Sequence, residues 1–291
     1  ARTLTASLVR DMVRESSSPS EARMQASGVI TITTDFGHRG PFVGVMKGRM
    51  YSRFPAARIV DLTHEILVHW PAEAGFWLAR SWQYFPPGTV HVAVVDPGVG
   101  TARDIVAVSH ADHVFLAPDN GLLAPLINAD AGATIVRVEP EALARFSITR
   151  PSATFHGRDI FAPLAAELAA GRCQPEELGT VVDSLVPSWV EDASGDDSAV
   201  HGLVITLDHF GNLITNIDAH WVIRMGSPRV YAANHSWPLL RTYGDVKPGE
   251  YLALVNSFGV VEIARAEQSA AEGLGLSRGA PVVVRDTARL P

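Results

Sequence analysis

Short runs of consecutive apolar, β-branched residues alternate with helix-spaced apolar stripes through the first two thirds of the chain. Val29 to Thr33 reads as a first buried strand. From Phe42 to Phe54 the apolar positions Val43, Met46, Met50 and Phe54 recur at helical spacing, Lys47 and Arg49 lie off the stripe, and Pro55 stops the helix. Arg58 to Thr63 predicts a second strand, and Pro71 to Tyr84 an aromatic-rich helix ended by Pro86-Pro87-Gly88. Val92 to Val95 is apolar without alternation, the pattern of a central strand buried on both faces of a parallel sheet. Asp104 to Ser109 and His113 to Ala117 read as a hairpin, Leu122 to Ile127 starts a helix, and Ile160 to Ala170 predicts an amphipathic helix ended by Gly171. Alternating strands and helices predict a Rossmann-like, mostly parallel α/β sheet covered on both faces.

The pattern then changes. Pro187 to Gly202 is acidic, small and aperiodic, and reads as a linker. Beyond it, turn signals every eight to twelve residues separate short strands: Leu203 to Leu207, Leu213 to Ile217, Arg229 to Ala233, Tyr251 to Val255, Val260 to Ala264 and Pro281 to Arg285. That spacing predicts a small antiparallel barrel or sandwich. The expected organisation is therefore an N-terminal extension over 1–27, an α/β domain over 28–186, a linker over 187–202 and a β domain over 203–291. The first segment holds arginines and a Ser/Pro run without the apolar core of a signal peptide.

Composition narrows the chemistry. The chain has 291 residues and a formal charge of −7, with no long Lys/Arg run, so neither a phosphate-backbone footprint nor a nucleic-acid partner is expected. No stretch approaches the length of a membrane span. One cysteine, Cys173, excludes an internal disulfide and a thiolate-rich metal site; a cytoplasmic location is expected. Neither G-x-G-x-x-G nor a Walker lysine loop occurs, so the usual phosphate cradles are missing.

Two predicted strands end in an acid followed by a glycine turn, Thr34-Asp35-Phe36-Gly37 and Val95-Asp96-Pro97-Gly98. Carboxyl ends of parallel strands are where open α/β sheets place ligands. A carboxylate at such a site accepts two hydrogen bonds from a vicinal diol, although Asp-Pro-Gly is also ordinary turn chemistry. His156, in Phe155-His156-Gly157-Arg158-Asp159 before a helix, is a candidate general base. Asp208 to Asn212 and Asn256 to Gly259 are polar turns able to recognise a zwitterion or a base edge, or serving only as hairpin turns.

Taken together, TTDFG (33–37), MKG (46–48), DLTH (61–64), FPPGTVHVAVVDPGVG (85–100), PDNG (118–121), FHGRD (155–159), FGNLITNI (210–217) and NSFG (256–259) resemble the S-adenosyl-L-methionine (SAM) hydroxide adenosyltransferases, or SAM hydrolases. These are relatives of fluorinase and chlorinase. The resemblance covers about residues 28–290. It implies an α/β domain followed by a β-barrel-like domain, and a homotrimer with ligand sites at subunit interfaces. The implied reaction converts SAM and water to adenosine and methionine, with SAM as substrate, no cofactor and no metal. It assigns Asp96, Arg103 and His156 to water activation and Asp35 to the ribose diol. Trp70 and Phe155 become apolar walls, Asp208 and Ser257 methionine-end contacts, and Asn212 the adenine-reading amide. Three departures stand out: Gly40 where the halogenases carry an acid, Phe258 in place of their arginine, and a shorter Asp208 turn. The alternatives left open are a halogenase of the same fold and a non-catalytic SAM or adenosine binding module. A metallohydrolase lacks H-E-x-x-H or any compact ligand spacing.

Overall fold

The computed structural model describes residues 24–127 and 132–289; residues 1–23, most of the segment read as an extension, lie outside them. Strands β1 (Val29–Thr34), β2 (Arg58–Thr63), β3 (Val90–Val94), β4 (Ile105–His110), β5 (His113–Pro118), β6 (Thr134–Val138) and β7 (Gly179–Val182) form one sheet in the order β2-β1-β3-β5-β4-β6-β7. The β1–β2, β1–β3 and β3–β5 pairs are parallel, whereas β4–β5, β4–β6 and β6–β7 are antiparallel. The parallel character thus holds in the half built on β1 and β3. Beyond it, the predicted hairpin of β4 and β5 reverses the chain and the remaining strands follow antiparallel.

Helices α1 (Phe42–Arg53), α2 (Pro71–Ser81), α3 (Ala124–Ile127), α4 (Pro140–Arg145) and α5 (Ala162–Ala169) accompany this sheet. Val90, Val92 and Val94 pack with Ile30 and Ile32 of β1, Met46 and Met50 of α1, and Leu164 and Leu168 of α5. Ala93 and Val95 face the other way, toward Phe115 and Leu78 of α2. Two covered faces explain why this strand shows no alternation. Helix α5 differs from expectation: all its residues are buried, so it is a core helix and not an amphipathic one. Its one charge, Glu167, is paired with Arg53 at 2.9 Å and Arg172 at 2.5 Å.

The second unit contains β8 (Ser194–Gly195), β9 (Ala199–Leu207), β10 (Leu213–Asp218), α6 (Ala219–Val222), β11 (Pro228–Ala232), β12 (His235–Leu240), β13 (Tyr251–Val255), β14 (Val260–Arg265), α7 (Ala270–Leu274) and β15 (Pro281–Asp286). Its order is β10-β14-β13-β12-β11-β15-β9-β8, and β9 also pairs with β10, which closes seven strands into a barrel with β8 outside the ring. One pairing, β12–β13, is parallel. The two units share an apolar seam of Ala72 and Phe76 against Ile205, Ile214 and Val260. Across it, buried Glu73 accepts from Arg278 Nη2 at 2.9 Å and from the Thr206 hydroxyl, and Arg80 pairs with Asp218 at 2.8 Å. No helix among the described residues is long and apolar enough to cross a membrane.

Candidate active site

Chain order places two of the predicted acids side by side. From β1 the chain goes to β2 on one side and then crosses to β3 on the other, so the β1/β3 junction is a topological switch point, open at the strands' carboxyl ends. Thr34 pairs with Val94 there. Asp35 and Asp96 therefore leave adjacent strands at one edge, and both line a cavity of about 260 Å³.

The loop after β3 is held from two directions. Asn120 Nδ2 donates to the Val95 carbonyl at 2.9 Å, giving the PDNG turn a task in fixing the residue before Asp96. Gly100 has φ +78°, and a Cβ built on it would lie 2.1 Å from the Ala153 carbonyl oxygen. Only glycine lets this loop meet the segment that carries His156.

Arg103 Nε donates to the Asp96 oxygens at 3.1 and 2.9 Å, and its Nη2 makes a further short contact to Oδ2. The same Nη2 donates to His156 Nδ1 at 2.9 Å. An arginine has no acceptor, so His156 Nδ1 is unprotonated and the neutral ring carries its hydrogen on Nε2. Burial, and then the Arg103 charge, hold the His156 pKa below the ordinary histidine value. The three residues read from the sequence thus form one contiguous cluster. Asp96 and His156 line the cavity; Arg103, whose side chain is 10% exposed, sits behind and ties them together. Asp159, the last residue of FHGRD, does not join them. Its pKa is lowered to about 2, chiefly by Arg158, and it caps the Ser152 N–H at 2.9 Å.

Phe36, Phe42 and Phe155 wall the cavity in edge-to-face contacts, with Phe155 centred 5.8 Å from Phe36 and 5.5 Å from Phe42. A cationic centre is favoured against such faces. Asp35 Oδ2 accepts the backbone N–H of His69 at 3.0 Å. Phe36, Phe42, Val68, His69, Val99 and Thr154 were not foreseen as lining residues. His69 has a left-handed backbone, φ +63°, a strained state found at ligand sites, which no residue pattern announces. Trp70 is not among the lining residues; its ring meets Trp189 at 6.1 Å.

Family models for the N-terminal and C-terminal domains of SAM hydroxide adenosyltransferases match residues 30–179 and 202–283. The chain belongs to this family.

Among other members, the (R)-S-adenosyl-L-methionine hydrolase of Thermus thermophilus is 38% identical over 258 residues, covering 86% of this chain and 96% of that one. A fluorinase of an Actinoplanes species stands further off, 26% identical over 299 residues, covering 90% and 99% of the two chains. The crystal structure of a conserved protein from Thermotoga maritima superposes with a TM-score of 0.80 at 34% identity, over 88% of this chain and 99% of that one.

The barrel residues expected to contact substrate do not reach the Asp96 cavity of their own chain. Asp208 Oδ1 accepts the backbone N–H of Phe210 and of Asn212, both at 2.9 Å, while its Oδ2 accepts Asn212 Nδ2 at 2.9 Å. Ser257 opens on a separate groove of about 540 Å³ between the two units. No group of three or more His, Cys, Asp or Glu among the described residues could hold a metal ion.

Proposed function

We propose that this chain hydrolyses SAM to adenosine and L-methionine by attack of an activated water on C5′ of the sulfonium. The observation that carries the reading is the Asp96–Arg103–His156 cluster at the wall of an aromatic-lined cavity that also holds Asp35. In this mechanism Asp35 receives the ribose diol, and the sulfonium lies against the Phe36, Phe42 and Phe155 faces. Bulk water has a pKa near 15.7, so its proton must be taken as the bond forms. Asp96 accepts that proton, and the His156 Nε2–H holds the oxygen as it becomes hydroxide-like. Arg103 is a positioning residue, fixing the carboxylate and the imidazole tautomer. The C5′–O bond forms as the C5′–S bond breaks, and the electron pair leaves on sulfur. The charge on sulfur is cancelled, which a dry cavity favours. Holding water and C5′ in line contributes on the order of 7–11 kcal/mol. No metal enters this mechanism.

We further propose a homotrimer with each site completed by the barrel of a neighbouring copy. At about 260 Å³ the cavity is smaller than the roughly 300–1,000 Å³ of sites that enclose a whole ligand of this size. Phe42 and Val68 of its lining are exposed, and Phe210 is exposed on the barrel turn that carries Asp208 and Asn212. Asn212 and Ser257 of the next copy then read the adenine and methionine ends. The location proposed is the cytoplasm. Incubation with SAM, followed by chromatography, should yield adenosine and methionine in equal amounts and no 5′-halo product with chloride or fluoride. A halo product would favour a halogenase, and a tight complex without turnover a binding module. Sedimentation should give three times the chain mass; a monomer with full activity would remove the interfacial site.

A further inference from the structure

The MKG and DLTH motifs have no part in the chemistry above, yet the fold brings them together behind Asp35. The β1–β2 register shifts after Ile32↔Asp61, so that Thr33 pairs with Thr63 and Leu62 is left over. Such a bulge turns the following side chains to new directions. His64 is thereby placed, fully buried, with Nδ1 2.8 Å from the Thr34 hydroxyl and Nε2 3.1 Å from Asp61 Oδ1, the second contact lying off the line of a good hydrogen bond. Lys47 of α1 donates to Asp61 Oδ2 at 2.5 Å.

Burial lowers the His64 pKa more than Asp61 raises it, so the ring is neutral. Its hydrogen belongs on the nitrogen beside the carboxylate, leaving Nδ1 to accept from Thr34. The Thr34 oxygen is then free to accept the Phe36 N–H at 3.2 Å. Two backbone bonds tie the same segments, Gly37 N to the His64 carbonyl at 2.8 Å and Ile66 N to the Thr34 carbonyl at 3.4 Å. The Thr-His-Asp order is that of a nucleophilic triad, but Thr34 is fully buried and is not part of the cavity wall, so its hydroxyl has no access to substrate.

We infer that His64 is a positioning residue which, with Thr34 and Asp61, fixes the 34–37 turn so that the Asp35 carboxylate faces the cavity in the geometry a vicinal diol requires. The inference rests on the assignment of Asp35 to the ribose. Calorimetric titration with adenosine and with 2′,3′-dideoxyadenosine tests it without relying on turnover. The wild-type protein should prefer adenosine, and Asp35→Asn should abolish that preference. His64→Leu should cut the preference about fivefold or more, the effect of misaligning one charge-assisted hydrogen bond, with dideoxyadenosine affinity unchanged within about twofold. His64→Asn, which can still accept from Thr34, should recover most of it. Asp61→Asn, at a partly exposed position, should lower the preference in the same direction and serves as the test should His64→Leu not fold.

A wild-type preference in both the His64→Leu and Asp61→Asn proteins, with Asp35→Asn losing it, would overturn the inference and leave the ribose assignment standing. Equal loss of both ligands in His64→Leu would also overturn it, marking His64 as structural only. An unchanged preference in Asp35→Asn, or none in the wild type, would instead remove the ribose assignment and this inference with it.

Discussion

Replacing Asp96 by asparagine separates the chemical from the structural task of the carboxylate. The Asp96 and Arg103 side chains are 4% and 10% exposed, so the pair is largely out of water. The amide would fit the same space but leave Arg103 without its counter-charge, at a cost of about 3–5 kcal/mol of stability. Turnover loses the proton acceptor, and positioned acid–base groups contribute roughly 10²- to 10⁴-fold. The expected result for Asp96→Asn is a fall of that size in kcat, little change in KM, and a lower urea midpoint. The double variant Asp96→Asn/Arg103→Met removes the stranded charge, so it should regain much of the stability and none of the turnover. Adenosine formation measured by chromatography gives kcat and KM, and urea unfolding gives stability. A folded Asp96→Asn protein with kcat within about tenfold of wild type, or with its loss confined to KM, would refute the assignment.

Three further expectations follow from the same structure. Because burial and Arg103 hold His156 below its ordinary pKa, the acid limb of kcat/KM should lie below pH 6.5; a limb above that value would contradict a neutral His156 beside Arg103. Burial, with His113 adding to it, pulls His91 down to about 3, so between that value and 6.5 the unfolded chain binds the extra proton and stability falls as pH drops. The contribution is about 1.4 kcal/mol per pH unit, or about 2 kcal/mol from pH 6.5 to 5, and His91→Gln should remove it in paired urea titrations; parallel pH profiles would contradict it. Gly100→Ala places a Cβ 2.1 Å from the Ala153 oxygen and should cost tenfold or more in kcat by moving the Asp96 loop from His156, with circular dichroism unchanged; wild-type turnover would show that the loops need not meet.

What could be read from the chain divides along physical lines. The strand before Asp96 was legible because a run buried on both faces leaves a continuous apolar signature, and the acid-glycine turns were legible because the backbone there demands particular residues. Helix α5 looks amphipathic in one dimension because Glu167 interrupts an apolar run, and only the fold supplies the Arg53 and Arg172 partners that let this carboxylate be buried. Strand β12 carries no clear signature, its run interrupted by Pro238, and its parallel pairing with β13 involves only Leu239 and Leu240.

At the site, Asp96 and His156 were each ambiguous alone, and their meeting through Arg103 depends on a loop contact that glycine permits. The left-handed His69 and the aromatic wall formed by Phe36 and Phe42 with Phe155 have no signature in residue order. Nor does the bulge that turns His64 under Asp35, since register is a property of two strands and not of one.

In the proposed reaction a water held by Asp96 and His156 becomes the 5′-hydroxyl of adenosine. Single-turnover hydrolysis of SAM in water enriched in oxygen-18, with mass spectrometry of both products, tests it directly. One labelled oxygen in adenosine at C5′ and none in methionine is the predicted result. Adenosine without label, or label carried only by methionine, would contradict it.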